Sequence, residues 1–269
     1  MAVVNALVTR LADLVMGPLA ALPPVAGVLL AALVTALVIL WVVRLTSDQR
    51  ALAAVKRQIQ ADLFEMRLFN DDLRGLLRAQ WRVLAHNGRY LRLSLVPLVC
   101  TAVPLVLAIA QLQAWYGYTG IAPGTAVLVS ADLAPGADPG APALEGEGVA
   151  TDGRAVYFPS LRQVAWRVVA GQPGTHVLRL RLAGAEVEKR LVAGDAVERR
   201  APLRPGRSFV DQLLEPSEPP LDGPVIAIRV PYPERAIDVL GMSMHWLVLF
   251  LIASFAFVLL LRKPLGVVI

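Results

Sequence analysis

The chain has 269 residues, 56% of them hydrophobic and only 17% charged, with a mean hydropathy of +0.58. That is too apolar for an ordinary soluble domain, and the apolar residues are clumped, so the composition reads as an integral membrane protein. The single cysteine, Cys100, excludes an intrachain disulfide, a cysteine zinc site and an iron–sulfur cluster. His86, His176 and His245 lie far apart in the sequence and spell no metal-ligand motif, so neither a metal nor a cofactor is expected.

Residues 1–22 carry Val4, Leu7, Leu11, Leu14 and Val15 at helical spacing, with Asn5, Thr9 and Asp13 between them. The pattern predicts a short amphipathic helix on the membrane surface, ended by Gly17-Pro18. Arg10 and Asp13 fall where a signal peptide would be apolar.

Residues 23–44 form the first expected transmembrane helix, an uncharged run closed by Trp41 and Arg44. Residues 45–91 follow as a helical hairpin. Leu52, Val55, Ile59, Leu63 and Met66 make one apolar stripe, and Leu73, Leu77, Trp81 and Leu84 a second. Asn70, Asp71 and Asp72 suit a cap and first turn, and Asn87-Gly88 reads as the end of the second helix.

Residues 92–116 form a second expected span, interrupted by Pro97 and Pro104. Residues 117–239 change character. A Pro/Gly/Ala-rich loop, 134–143, sits among short strand-like runs at 126–129, 155–158, 164–169, 176–182, 187–192 and 225–230. They predict a small all-β domain, most simply an immunoglobulin-like sandwich, with Trp166 in its core. Residues 240–261 read as a third span, and 262–269 as a tail beginning Arg262-Lys263.

Between Arg44 and Arg92 there are ten basic and five acidic residues, whereas Tyr116–Asp238 holds thirteen and fifteen. The positive-inside rule therefore places the hairpin and the tail in the cytoplasm, and the N-terminus and 117–239 outside. The expected fold class is an α-helical membrane protein with three transmembrane helices, a cytoplasmic helical hairpin and an inserted sandwich-like extracytoplasmic β domain.

Polar residues within spans are candidate functional groups. Thr35, Arg44, Arg92, Thr101, Gln111 and Ser254 are the candidates for a shallow polar groove that lowers the cost of moving a polar segment through the bilayer. No Asp or Glu lies in a span, which argues against a proton-coupled carrier or ion pump. In the β region, Ser208, His176 and Asp211 are the residue types of a hydrolytic triad, but no G-x-S-x-G elbow supports them. Asp195 with Glu198, and Asp211 with Glu215, read as exposed loop charges. No catalytic residue is assigned and no enzymatic activity is expected.

The order span, basic hairpin, span, with the string Arg82-Val83-Leu84-Ala85-His86-Asn87-Gly88-Arg89-Tyr90-Leu91 leading into the second span, resembles the Oxa1/YidC/Alb3 insertase superfamily, and within it the EMC3/TMCO1-like branch. The resemblance covers about residues 1–116 and 240–263. It implies an insertase or membrane chaperone acting without ATP hydrolysis. It also implies a groove with a positive residue, for which Arg44 and Arg92 stand nearest, and a hairpin that receives substrate near the ribosome. The partners expected are newly made membrane proteins, anionic lipids, the ribosome through the basic hairpin, and an extracytoplasmic protein, with no DNA. The expected location is a prokaryotic cell membrane. The β insertion is not part of that family's plan. It leaves open a membrane-anchored binding or assembly protein, or an accessory subunit of a larger transporter.

Overall fold

A computed structural model describes residues 2–68, 73–239 and 241–267. The order of elements is α1 (Ala2–Leu19), α2 (Pro24–Thr46), α3 (Gln49–Leu68), α4 (Leu73–Tyr116), β1 (Ala126–Leu133), β2 (Ala143–Gly146), β3 (Val149–Thr151), β4 (Val156–Phe158), β5 (Gln163–Ala170), β6 (Gly174–Leu182), β7 (Ala185–Ala193), β8 (Leu203–Pro205), α5 (Phe209–Leu214), β9 (Val225–Arg229), β10 (Ala236–Val239), β11 (Met242–His245) and α6 (Trp246–Leu261). The chain divides into two compact units. One comprises Met1–Val28 and Leu107–Leu249, the other Leu29–Val106 and Phe250–Ile269.

Two helices are long and apolar enough to cross a membrane, Pro24–Thr46 and Leu77–Tyr116. The expectation of three spans is corrected by the segment before α6. Val239 pairs with Met242 and Ala236 with His245, so β10 and β11 form a hairpin whose turn includes Gly241 at φ +82°. That hairpin takes the first residues of the expected 240–261 span. The 16 residues left to α6 extend about 24 Å, short of a bilayer core of about 30 Å.

The second span and the hairpin's second helix are one uninterrupted helix of 44 residues, α4, which runs through Asn87-Gly88 and both prolines. Asn87 Nδ2 donates to Val83 O within the helix instead of ending it. A helical Gly costs about 1 kcal/mol relative to Ala, too little to stop a run with good helix formers on both sides. The predicted cap at Asn70–Asp72 lies outside the described residues. At the other end of the loop, Asp48 caps α3: its Oδ1 accepts from the backbone amides of Arg50 and Ala51 at 3.1 and 2.9 Å.

The β region is also corrected. It consists of a six-stranded sheet in the order β3-β5-β1-β9-β8 with β4 also on β5, a three-stranded sheet β2-β6-β7, and the separate β10-β11 hairpin. All the strand pairs are antiparallel. Among the described residues no strand joins the two larger sheets, and the region is an open, multi-sheet one rather than the expected sandwich-like domain. Side chains cover part of the β7 edge instead. Tyr232 Oη accepts from Val192 N at 2.9 Å, and Glu218 Oε1 from Arg190 N at 2.8 Å. One hydrophobic cluster draws on both larger sheets, including Val129, Trp166, Leu178, Leu180, Leu191 and Ile228.

Each predicted strand run overlaps a strand, with Ala155 and Val230 lying just outside β4 and β9. The β6-β7 hairpin turns at Ala183-Gly184, both at positive φ (53° and 72°), as a two-residue primed turn requires. In the same unit, the C-terminal end of α4 is held by two buried arginines. Arg200 N donates to Ala114 O and Arg235 N to Gly117 O, while both guanidinium groups reach Tyr118 O. Cations at a helix C-terminus satisfy its free carbonyls and oppose its dipole.

Candidate functional site

In the unit containing Leu29–Val106, α2 is apolar all round but uneven in size. Its buried positions Ala31, Ala32, Ala36 and Leu40 form a helical stripe that is mostly small, and Leu37, Val38, Trp41 and Leu45 on other faces are exposed. A groove of about 360 Å³ runs along this helix, lined by Leu37, Val38, Leu40, Trp41, Arg44 and Leu265. Every lining side chain but Arg44 is apolar. Leu265 follows α6 in a turn closed by Leu265 N to Leu261 O and Val267 N to Arg262 O. Arg44 Nη1 lies 3.5 Å from Leu265 O, so its charge stands at the edge of an apolar groove. The sequence offers no signal for Leu265.

Of the groove candidates, Arg44 alone lines this groove. Thr35 is half-buried and Arg92 exposed. Thr101 Oγ1 lies within hydrogen-bond distance of two carbonyls of its own helix, Pro97 O at 2.8 Å and Leu98 O at 2.9 Å. Such back-bonding satisfies the hydroxyl locally. Ser254 is buried and its hydroxyl has no partner among the described residues. Gln111 belongs to the other unit, where its Oε1 accepts from Arg199 Nη2 at 2.7 Å. The same guanidinium pairs with Asp13 of α1 and stacks over Trp115.

The hairpin packs on an unexpected face. Leu52 and Val55 of α3 are buried as predicted, but among the described hairpin residues of α4 the buried one is Ala79. Leu77, Trp81 and Leu84 are 58%, 74% and 60% exposed. The reason is a polar latch between the helices. Asp62, almost buried, lies 2.7 Å from His86 Nδ1 and 3.2 Å from Arg82 Nε, and Arg82 also pairs with Glu65 at 2.5 Å. Satisfying that carboxylate fixes the facing side of α4. The apolar stripe is left outward on a segment, 74–92, that holds five arginines and no acid.

The β region gathers its buried charge elsewhere. Lys189 Nζ donates to Glu218 Oε2 and Ala201 O, both at 2.5 Å. Burial pushes the Lys189 ammonium down, and Glu218 opposes that shift. Glu215 is nearby, and burial pushes its carboxyl up to about 7. Ser208, His176 and Asp211 form no triad: Ser208 caps α5 with its oxygen toward Asp211 N, and His176 bridges Glu147 O and Gln172 O. Glu198 accepts from Thr175, and Asp195 pairs with Arg235. Comparisons with known protein families, curated proteins and solved structures find no match.

Proposed function

We propose that the protein is a membrane-protein insertase or membrane chaperone that acts without ATP hydrolysis, resident in a prokaryotic cell membrane. One observation carries this reading: an apolar groove along a membrane-length helix that ends on a guanidinium, Arg44. An apolar substrate segment gains free energy by leaving water, roughly 0.8 kcal/mol for each CH₂ buried. What resists insertion is the polar flank that must follow it. A groove that is apolar along its length and positive at its end holds the segment and attracts an acidic flank.

The positive-inside rule places the basic 45–91 hairpin in the cytoplasm, and α1 with residues 117–239 outside. The outward stripe Leu77, Trp81 and Leu84, flanked by arginines, then meets newly made membrane segments, and the basic surface meets the ribosome or anionic lipid. The exposed apolar residues of α4, among them Leu95, Val96, Val99 and Val103, extend the same apolar character into the span.

A photoreactive residue at Val38 tests this. During translation of a single-span substrate in proteoliposomes, Val38 crosslinks to the substrate's apolar segment. A control position on the β region, Val177, does not. Equal crosslinking at the two positions contradicts the proposal.

A further inference from the structure

The outward face of the six-stranded sheet carries a hollow of about 610 Å³. Leu128 and Ala165 of β1 and β5, Leu203 of β8, and Phe158 and Leu161 around the β4–β5 connection supply its apolar lining. Leu128 and Leu161 are 60% and 65% exposed, so water wets a surface that an apolar group would cover at a gain. The volume is within the range of ligand sites.

Among the described residues, two charged side chains line the hollow, Glu215 and Arg229. Arg229 is already spent: its Nη1 pairs with Asp132, which also accepts from Gln163. Glu215 is not, because its carboxyl has no hydrogen-bond partner among the described residues. The cation that acts on it, Lys189, is held by Glu218 and Ala201 O, and Asp211 adds a like charge. Arg204, whose charge acts on Lys189, donates to Pro219 O and Glu188 O. Tyr118 borders the hollow and is itself buried enough to stay un-ionised. The hollow therefore combines an apolar floor with one carboxylate that has no hydrogen-bonded cation of its own.

We infer that this hollow binds an apolar polypeptide segment bearing one lysine or arginine, its apolar side chains on Leu128, Phe158 and Leu161 and its cation on Glu215. A polypeptide fits better than a compact small molecule because the site lies open along the face of a sheet. The inference does not rest on the insertase reading, since its residues all belong to the other unit.

The test uses the full chain in nanodiscs and a fluorescent eight-residue peptide of leucine, phenylalanine and serine with one lysine, read by anisotropy. The comparison peptide has norleucine in place of lysine. The lysine peptide binds more tightly at pH 8, and its affinity rises roughly tenfold from pH 6 to pH 8 as the Glu215 carboxyl ionises through pH 7. The norleucine peptide shows no such rise. Glu215→Gln brings the two peptides to one affinity, and Leu128→Asp, at an exposed position, weakens both. Equal binding of the two peptides to the native chain at pH 8, no binding of either, or unchanged binding by either variant overturns the inference.

Discussion

Lys189 and Glu218 meet inside the β region, Nζ 2.5 Å from Oε2, with side chains 0% and 5% exposed. The two residues are on different elements, β7 and the segment after α5. Glu218 spends its other oxygen on the Arg190 amide, at the edge of the three-stranded sheet. The pair thus ties an unclosed sheet edge to the loop that covers it.

Removing one partner strands the other. Lys189→Met leaves the Glu218 carboxylate buried without its cation and should cost about 3–5 kcal/mol, whereas Lys189→Met with Glu218→Leu should recover much of that loss. Thermal unfolding of the three chains in detergent, followed by near-ultraviolet circular dichroism, decides it. A double variant no more stable than the single one refutes the claim.

Glu215 gives a pH dependence of unusual sign. Its carboxyl titrates near 7 in the folded chain and near 4.5 otherwise. The folded state therefore holds the extra proton between those values, and stability falls as pH rises from about 4.5 to 7. Glu215→Gln should raise stability at pH 8 and leave it nearly unchanged at pH 4. The gain is on the order of 2 kcal/mol, reduced from the full linkage value because the carboxyl keeps some contact with water. Melting temperatures of both chains at the two pH values provide the measurement.

Gly27 and Tyr116 make a close approach where α2 begins and α4 ends. A Cβ on Gly27 would stand 2.1 Å from the Tyr116 hydroxyl oxygen. Gly27→Ala should therefore destabilise the chain by about 1–3 kcal/mol through overpacking. Tyr116→Phe should cost little, because that buried hydroxyl has no partner among the described residues. Unfolding midpoints of the two variants separate steric from polar effects.

The hairpin offers a test of which α4 face is its seam. Ala79→Leu places a bulky group at a position 1% exposed and should cost about 1–3 kcal/mol. Trp81→Ser, at 74% exposure, should fall within about 0.5 kcal/mol of the native chain. The reverse ranking would restore the stripe through Trp81 as the inner face.

These cases show what the sequence made legible. Periodicity located α1 and α3, a long uncharged apolar run located α2, and short β-like runs bounded by turn residues located the main strands. It chose the wrong face of α4, because the outcome turns on Asp62 finding His86, 24 residues away, and Arg82, contacts that no local pattern encodes. It overran into α6, because Met242, Ser243 and Met244 are hydropathic enough to extend a span and equally able to pair as a strand. Five short strands, β2, β3, β8, β10 and β11, escaped; they carry three or four residues each, too few for a period. At the candidate site, Arg44 was visible as the cation ending a span. Leu265, which completes the groove, is placed there by a turn after α6.

The groove at Arg44 is open to test by reconstitution. Purified chain in liposomes is supplied with a ribosome-translated single-span substrate carrying a short acidic flank, and protease protection of that flank is scored. The expected result is protection well above empty liposomes, a several-fold loss with Arg44→Glu at unchanged incorporation of the protein, and near-native protection with Arg44→Lys. Protection equal to that of empty liposomes, or full activity of Arg44→Glu, would contradict it.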